Sequence, residues 1–228
     1  MQCAIMQPCF FPWAGYYNLI HQSDCFIFLD DVQFARQSWQ CRNRILINNK
    51  PVWIQAGVIK SPLSSSIKDI QLSLDNLWQE KIFAQLKGAY LKHPHYLEVV
   101  DFLNDLFNKN LSTLSKFNIE MIHSSCKYLK LELNAKKASS LDINQKRTDK
   151  LIALCESINA TSYIASEGAK EYLIEDQFEL KTKVALSFQN YHAKAYKQAG
   201  TLEFFSHLSI IDVLMNIGWD GCREIILG

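Results

Sequence analysis

The stretch CAIMQPCFFPWAGYYNLIHQSDCFIFLDD, residues 3–31, decides the fold class. Cys3 to Met6 is a short apolar run ended by Gln7-Pro8. It reads as a buried strand, because a strand covered on both faces shows no polar alternation. Cys9 to Gly15 is a loop punctuated by Pro8, Pro12 and Gly15. Tyr16 to His21 has the length of a short helix, with Leu19 and Ile20 facing the core. Cys25 to Leu29 is a second apolar run, stopped by Asp30-Asp31. Strand, loop, helix and strand within about thirty residues make a βαβ unit, whose right-handed crossover builds a parallel sheet.

Outward from this unit, Arg44 to Asn48 and Val52 to Val58 flank Asn48-Asn49-Lys50-Pro51. This predicts a hairpin, since Asn tolerates the positive-φ positions of a tight turn. Ile67, Ile70 and Leu72 are expected to form one more short strand. From about Asn76 to Leu131 apolar residues recur at helix spacing (Val100, Leu103, Leu106, Phe107; Leu114, Met121, Ile122, Cys126, Leu129), with a break at Lys92-His93-Pro94. Thr148 is placed to cap a helix whose apolar face is Leu151, Ile152, Cys155 and Ile158. Tyr163 to Ala165 and Val184 to Phe188 read as strands, and Ile210 to Ile217 as a helix. The expected architecture is one α/β domain over 1–228. Its parallel-sheet, Rossmann-like core comes from about 1–75 and 150–228, with a helical insert at about 76–145.

Composition narrows the function classes. Hydrophobic residues make up 48% of 228, a globular composition large enough for one sizeable core. Basic and acidic residues number 24 and 23, for a formal charge of +1, which argues against general nucleic-acid binding. No run reaches the ~18 apolar residues of a membrane span, and no signal peptide is read, so a cytoplasmic location is expected. The seven cysteines have no CxxC or zinc-finger spacing. Cys3, Cys25, Cys126 and Cys155 sit in apolar runs, as small buried hydrophobes do in a reducing compartment. No metal-ligand set is read.

In an open α/β sheet, ligands bind outside the carboxyl ends of the strands. Three polar clusters fall there: Gln7-Pro8, Asp30-Asp31 with Gln33, and Ser166-Glu167-Gly168. They converge on one cleft if the three strands are parallel neighbours. Adjacent strand residues point to opposite faces, so at most one of Asp30 and Asp31 enters a cleft. There it can act as a general base, a metal ligand or an anchor for an amine; the alternative is that both cap the next turn. Arg42, Asn43 and Arg44 suit a phosphate or carboxylate, because guanidinium offers a planar fork of donors, although an exposed strand edge gives the same pattern. Backbone N–H groups after Ser166 would make an anion site if a helix opens there. His93, His95 and His192 read as surface residues, and Trp39, Trp53, Trp78 and Trp219 as core or rim packing. Ser-His-Asp order, GxSxG, a Walker loop, GxGxxG and HExxH are all missing from the sequence.

The block Ala4-Ile-Met-Gln-Pro-Cys-Phe-Phe-Pro-Trp-Ala-Gly-Tyr16 resembles the opening of WbqC-like proteins. Phe28-Leu-Asp-Asp-Val-Gln-Phe34, Arg42-Asn-Arg-Ile45, Tyr163-Ile-Ala-Ser-Glu-Gly168 and Leu208-Ser-Ile-Ile-Asp-Val-Leu214 continue the likeness in order. It departs just before the last block, where the family commonly has a proline and this chain has His207 or a neighbour. The resemblance implies an enzyme of surface-polysaccharide (O-antigen, lipopolysaccharide) biosynthesis. The implied reaction is transfer of an acyl or aminoacyl group, such as glycyl, to the amine of a nucleotide-linked amino sugar. Its cofactor would be a nucleotide or an activated acyl donor, and its partner a small-molecule nucleotide sugar. For such a reaction the candidate catalytic residues are Asp30 or Asp31, to take the amine proton, and Asn43, to meet the developing oxyanion. Candidate binding residues are Gln7, Pro8, Gly15, Tyr16, Gln33, Arg42, Arg44, Ser166, Glu167, Gly168, Ser209 and Asp212.

Two alternatives stand beside that reading: a non-catalytic binder of sugar nucleotides or of a partner, and a nucleotidylyltransferase. The last follows a second likeness. Pro8 to Ile20 is similar to the loop and helix of the nucleotidylyltransferase and class I synthetase superfamily, with Trp13 and Tyr16 where its two phosphate-gripping histidines stand. Leu208 to Asp212 resembles that superfamily's late Ser-rich segment without its basic residue.

Overall fold

The computed structural model describes residues 1–198, 201 and 203–228. The chain begins with β1 (Gln2–Met6), α1 (Ala14–His21) and β2 (Cys25–Phe28), the expected βαβ unit. Next come the antiparallel hairpin β3 (Arg42–Ile47) and β4 (Lys50–Gln55), then helices α2 (Leu77–Tyr90), α3 (Tyr96–Phe107) and α4 (Leu114–Tyr128). The chain continues through β5 (Ala135–Lys137), α5 (Arg147–Ser157), β6 (Ser162–Ala165), the short helices α6 (Lys170–Glu175) and α7 (Phe178–Lys181), β7 (Ala185–Phe188) and α8 (Ile210–Leu227).

Five strands pair in parallel in the order β5-β2-β1-β6-β7. The chain works outward from β1 to β2 and β5, crosses back, and works outward again through β6 and β7. The order therefore reverses between β1 and β6, where an open parallel sheet leaves a crevice at its carboxyl edge. The period of two along each strand divides the core. Ala4, Phe26, Phe28 and Ile164 face α1, the hairpin, α2–α4 and α8. Cys3, Ile5, Cys25, Ile27, Tyr163 and Ala165 face α5–α7. All four cysteines expected to be buried are buried, and all seven are free thiols. No helix among the described residues is long and apolar enough to cross a membrane.

Local chemistry explains the element ends. Asn48 and Asn49 turn the hairpin with φ of 49° and 62°, the paired left-handed conformation of a two-residue loop. Thr113 caps α4 by accepting from the Lys116 N–H, and Ser209 caps α8 by accepting from the Ile211 N–H. Gly218 breaks the regular course of α8 with φ of 67°, and a Cβ there would lie 2.6 Å from the His95 ring.

Three expectations need correction. Residues 67–72 are not a strand but a 3-10 turn, Ile67–Asp69, followed by isolated bridges. Ile67 and Ile70 are both fully buried, at the spacing of three that a 3-10 turn superimposes on one side. The last part of the stretch 76–145 is not helical: it supplies edge strand β5, whose three residues are too few to show a period. Thr148 is not a cap; α5 starts at Arg147, and the Thr148 hydroxyl donates to the Asp176 carboxylate at 2.6 Å.

Candidate functional site

At the switch point, beyond the end of β1, lies a pocket of about 170 Å³. Met6, Cys9, Pro12, Trp13, Tyr16, Trp39, Asn43 and His207 line it. A water occupies roughly 30 Å³ of liquid, so this space holds a ring-sized group and not a whole nucleotide.

The loop carrying this wall, residues 7–15, is tied down from several elements. Asn43 on β3 donates through Nδ2 to the carbonyls of Phe10 (3.2 Å) and Phe11 (2.8 Å), and its Oδ1 accepts from the Arg44 N–H. The Ser209 hydroxyl also donates to the Phe11 carbonyl, at 2.9 Å. These donors converge on Phe11, whose φ of 43° is left-handed and held by its surroundings. Asn118 of α4 donates to the carbonyls of Pro8 and Gln40, and Gln40 Nε2 donates to Gln7 Oε1. Tyr16 donates to the Gln7 carbonyl at 3.0 Å, and Gln189 to that of Gly15 at 2.8 Å. A Cβ at position 15 would lie 2.3 Å from the Trp13 indole. Glycine there lets Trp13 fold over the start of α1. Of the expected site residues, Tyr16 and Asn43 line this pocket, while Gln7, Pro8, Gly15 and Ser209 shape the loop around it.

Beside the pocket, the hairpin presents a cationic, aromatic face. Arg42 and Arg44 share one side of β3, with Trp53 opposite Arg44. The Arg42 guanidinium lies 4.1 Å above the Trp53 ring, and that of Arg44 sits 5.4 Å from Trp39 and 5.8 Å from Trp53. Trp39 and Trp53 are 45% and 40% exposed, so these rings are open to a ligand and not sealed in the core. Arg42 also donates to the Gln37 carbonyl at 2.7 Å.

His207 packs 4.2 Å from the Trp13 ring, and its Nδ1 meets the Ser206 hydroxyl at 2.8 Å. Burial lowers its pKa from the usual 6.5, and the Arg44 charge lowers it further. The imidazole is therefore neutral at neutral pH. Burial pushes the Cys9 thiol up to about 12, so Cys9 presents a thiol and not a nucleophilic thiolate.

The acidic candidates are occupied elsewhere. Asp30, 2% exposed, accepts from the Ser139 N–H (2.9 Å) and hydroxyl (2.8 Å), fastening β2 to the turn after β5. Asp31 points the other way and pairs with Lys150 of α5 at 2.8 Å, in a largely buried bridge. Gln33 donates to the Leu63 carbonyl. Asp212 is fully buried and accepts from Tyr90 (2.5 Å) and Tyr196 (2.6 Å). Burial raises its pKa, against the pull of those two hydroxyls. After β6, Ser166, Glu167 and Gly168 enter one 3-10 turn followed by a six-residue helix, and Glu167 pairs with Lys170 at 3.1 Å. The long helix start that an anion site needs does not form there. Lys150, Tyr90, Tyr196 and Asn118 carry no motif, and only folding reveals them as partners. Among the described residues, no group of three His, Cys, Asp or Glu side chains is arranged to hold a metal ion.

No solved structure matches the chain. It is 29% identical over 219 residues to the uncharacterised protein Rv1507c of Mycobacterium tuberculosis, covering 94% of this chain and 93% of that protein. Residues 7–224 match the WbqC-like protein family, a span that includes the tied-down loop, the hairpin and the start of α8, and the chain belongs to that family.

Proposed function

We propose that this protein binds a nucleotide-linked amino sugar at the switch-point pocket and transfers an acyl or aminoacyl group to its amine. The observation that carries the reading is a ring-sized pocket walled by Trp13 and Trp39, with a neutral imidazole at its rim and an Arg–Trp face beside it. The sugar ring fits the pocket, stacked against indole. The nucleotide, too large for it, extends along the hairpin, where Arg44 meets the diphosphate and Trp53 the base.

In the reaction, the amine nitrogen forms a bond to the acyl carbon of the activated donor. The bond from that carbon to the donor's leaving group breaks, and the leaving group departs with the electron pair. The proton lost by the amine goes to His207, whose Nε2 has no protein partner among the described residues. The Gln7 side-chain amide keeps its N–H donors unpaired among the described residues and is available to the developing oxyanion. The surface-glycan setting rests on the family likeness alone. A purely binding role has one observation in its favour: Asp30 and Asp31 both have structural partners, and among the described residues no carboxylate lines the pocket.

Thermal stability and turnover against UDP- and dTDP-linked amino sugars test this. A ligand at a hundred times its Kd adds ~2.7 kcal/mol to folded-state stability. His207→Gln is expected to keep that stabilisation and to lose ~100-fold or more of turnover. Stabilisation without turnover in the wild type supports the binder, and silence across these ligands contradicts both readings.

A further inference from the structure

A second cavity, of about 790 Å³, opens at the carboxyl ends of β2 and β5, against the start of α4. It is several times larger than the switch-point pocket and within the range of small-molecule sites. Lys68, Lys116 and Lys137 line it, and among the described residues none of their ammonium groups has an ion pair or hydrogen bond. Lys136, the residue before Lys137 on β5, also borders the cavity, but it is in register with Ile27 and its charge is felt by Cys25. Two carboxylates also reach the cavity, but both are spoken for: Glu120 pairs with Lys109, and both oxygens of Asp30 accept from Ser139.

One further group points to a ligand. Ser115, in the first turn of α4, is 3% exposed and lines the cavity, yet its hydroxyl has no hydrogen-bond partner among the described residues. The oxygen is not sealed off but opens onto the cavity, where a ligand can reach it. Here the donor sits beside three unpaired cations, with the apolar side chains of Ile119 and Leu141 in the same wall.

We infer that this cavity is a second binding site, separate from the switch-point pocket, for a small molecule bearing a diphosphate. Lys68, Lys116 and Lys137 neutralise the phosphates, Ser115 donates to one of their oxygens, and the apolar wall takes the remainder of the ligand. Asp30 acts as a positioning residue: its two bonds to Ser139 hold the turn that follows Lys137. The site does not depend on what the switch-point pocket binds.

Calorimetric titration with inorganic pyrophosphate tests the inference, using wild type, the Lys116→Gln/Lys137→Gln double variant and Arg44→Gln. Both lysines are exposed, so their loss leaves the fold intact. The expected result is saturable binding that weakens with salt. Affinity should fall roughly tenfold or more in the double lysine variant and stay at the wild-type value in Arg44→Gln. Three results overturn the inference: no saturation at millimolar pyrophosphate, equal affinity in the double lysine variant, or loss confined to Arg44→Gln, which would assign the diphosphate to the hairpin. In that last case the switch-point reading survives while this one fails.

Discussion

The carboxyl edge of the sheet carries two neighbouring regions built on opposite principles. Around β2, the acids Asp30 and Asp31 are consumed by the fold, one by Ser139 and one by Lys150. Around β1, backbone carbonyls are held by Asn43, Asn118, Tyr16 and Ser209, and the pocket is walled mainly by aromatic rings, an imidazole, Met6, Cys9 and Pro12. Acidic charge serves architecture in the first region, whereas polar scaffolding serves an open, mostly apolar pocket in the second. A charged pair in sequence thus says little about where chemistry happens until its partners are known.

The sharpest way to break this comparison is at Lys150. Lys150→Met leaves Asp31 charged, largely buried and unpaired, and should cost about 3–5 kcal/mol in denaturant unfolding. Adding Asp31→Asn should recover most of the loss. If Lys150→Met is neutral, Asp31 is free for other work and the contrast collapses.

Asp212 comes next. Asp212→Ala strands the hydroxyls of Tyr90 and Tyr196, at a cost of about 2–4 kcal/mol. The pH dependence has a definite sign. The folded-state pKa is raised above the ordinary 3.8, so this group's contribution to stability is complete below 3.8 and is lost as pH rises through the raised value. The stability gap between wild type and Asp212→Asn should therefore be smaller at pH 7 than at pH 4.

Gly15→Ala probes the pocket itself. The new methyl collides with the Trp13 indole, so about 1–3 kcal/mol of stability should go, together with affinity for the sugar nucleotide. Loss of stability with unchanged affinity would remove Trp13 from the binding wall.

The smallest effect concerns Arg44. Its charge helps hold the His207 pKa below 6.5. Turnover by wild type should therefore decline only as pH falls through that lowered value. Arg44→Gln should move this acid limb upward, toward 6.5. An unmoved limb would mean that another group sets it.

Much of the fold was legible because β1, α1 and β2 are dense in signal: apolar runs with prolines, a glycine and paired acids as punctuation. The hairpin was equally readable from Asn48-Asn49. By contrast, β5 was hidden, since three residues, two of them lysines on an edge, carry no periodicity. At the site, the sequence pointed to the correct edge of the sheet but not to the groups facing the pocket. Asn43 and Ser209 look like ligand-binding residues, yet their partners are carbonyls some thirty and two hundred residues away. Trp39 reads as packing, and His207 showed only as a departure from a family pattern; their proximity to β1 exists only after folding.

Two histidines make the central claim directly measurable. His207 lines the switch-point pocket and His123 the lysine-lined cavity, and burial lowers both pKa values. Their imidazole resonances, assigned with His207→Gln and His123→Gln, can be followed by NMR while a UDP-linked amino sugar is added. The account predicts that the His207 signal shifts saturably, in the wild type and equally in Lys116→Gln/Lys137→Gln, where the lysine-lined cavity no longer draws the diphosphate. A shift of His123 alone, or of neither while the ligand stabilises the protein, would contradict it.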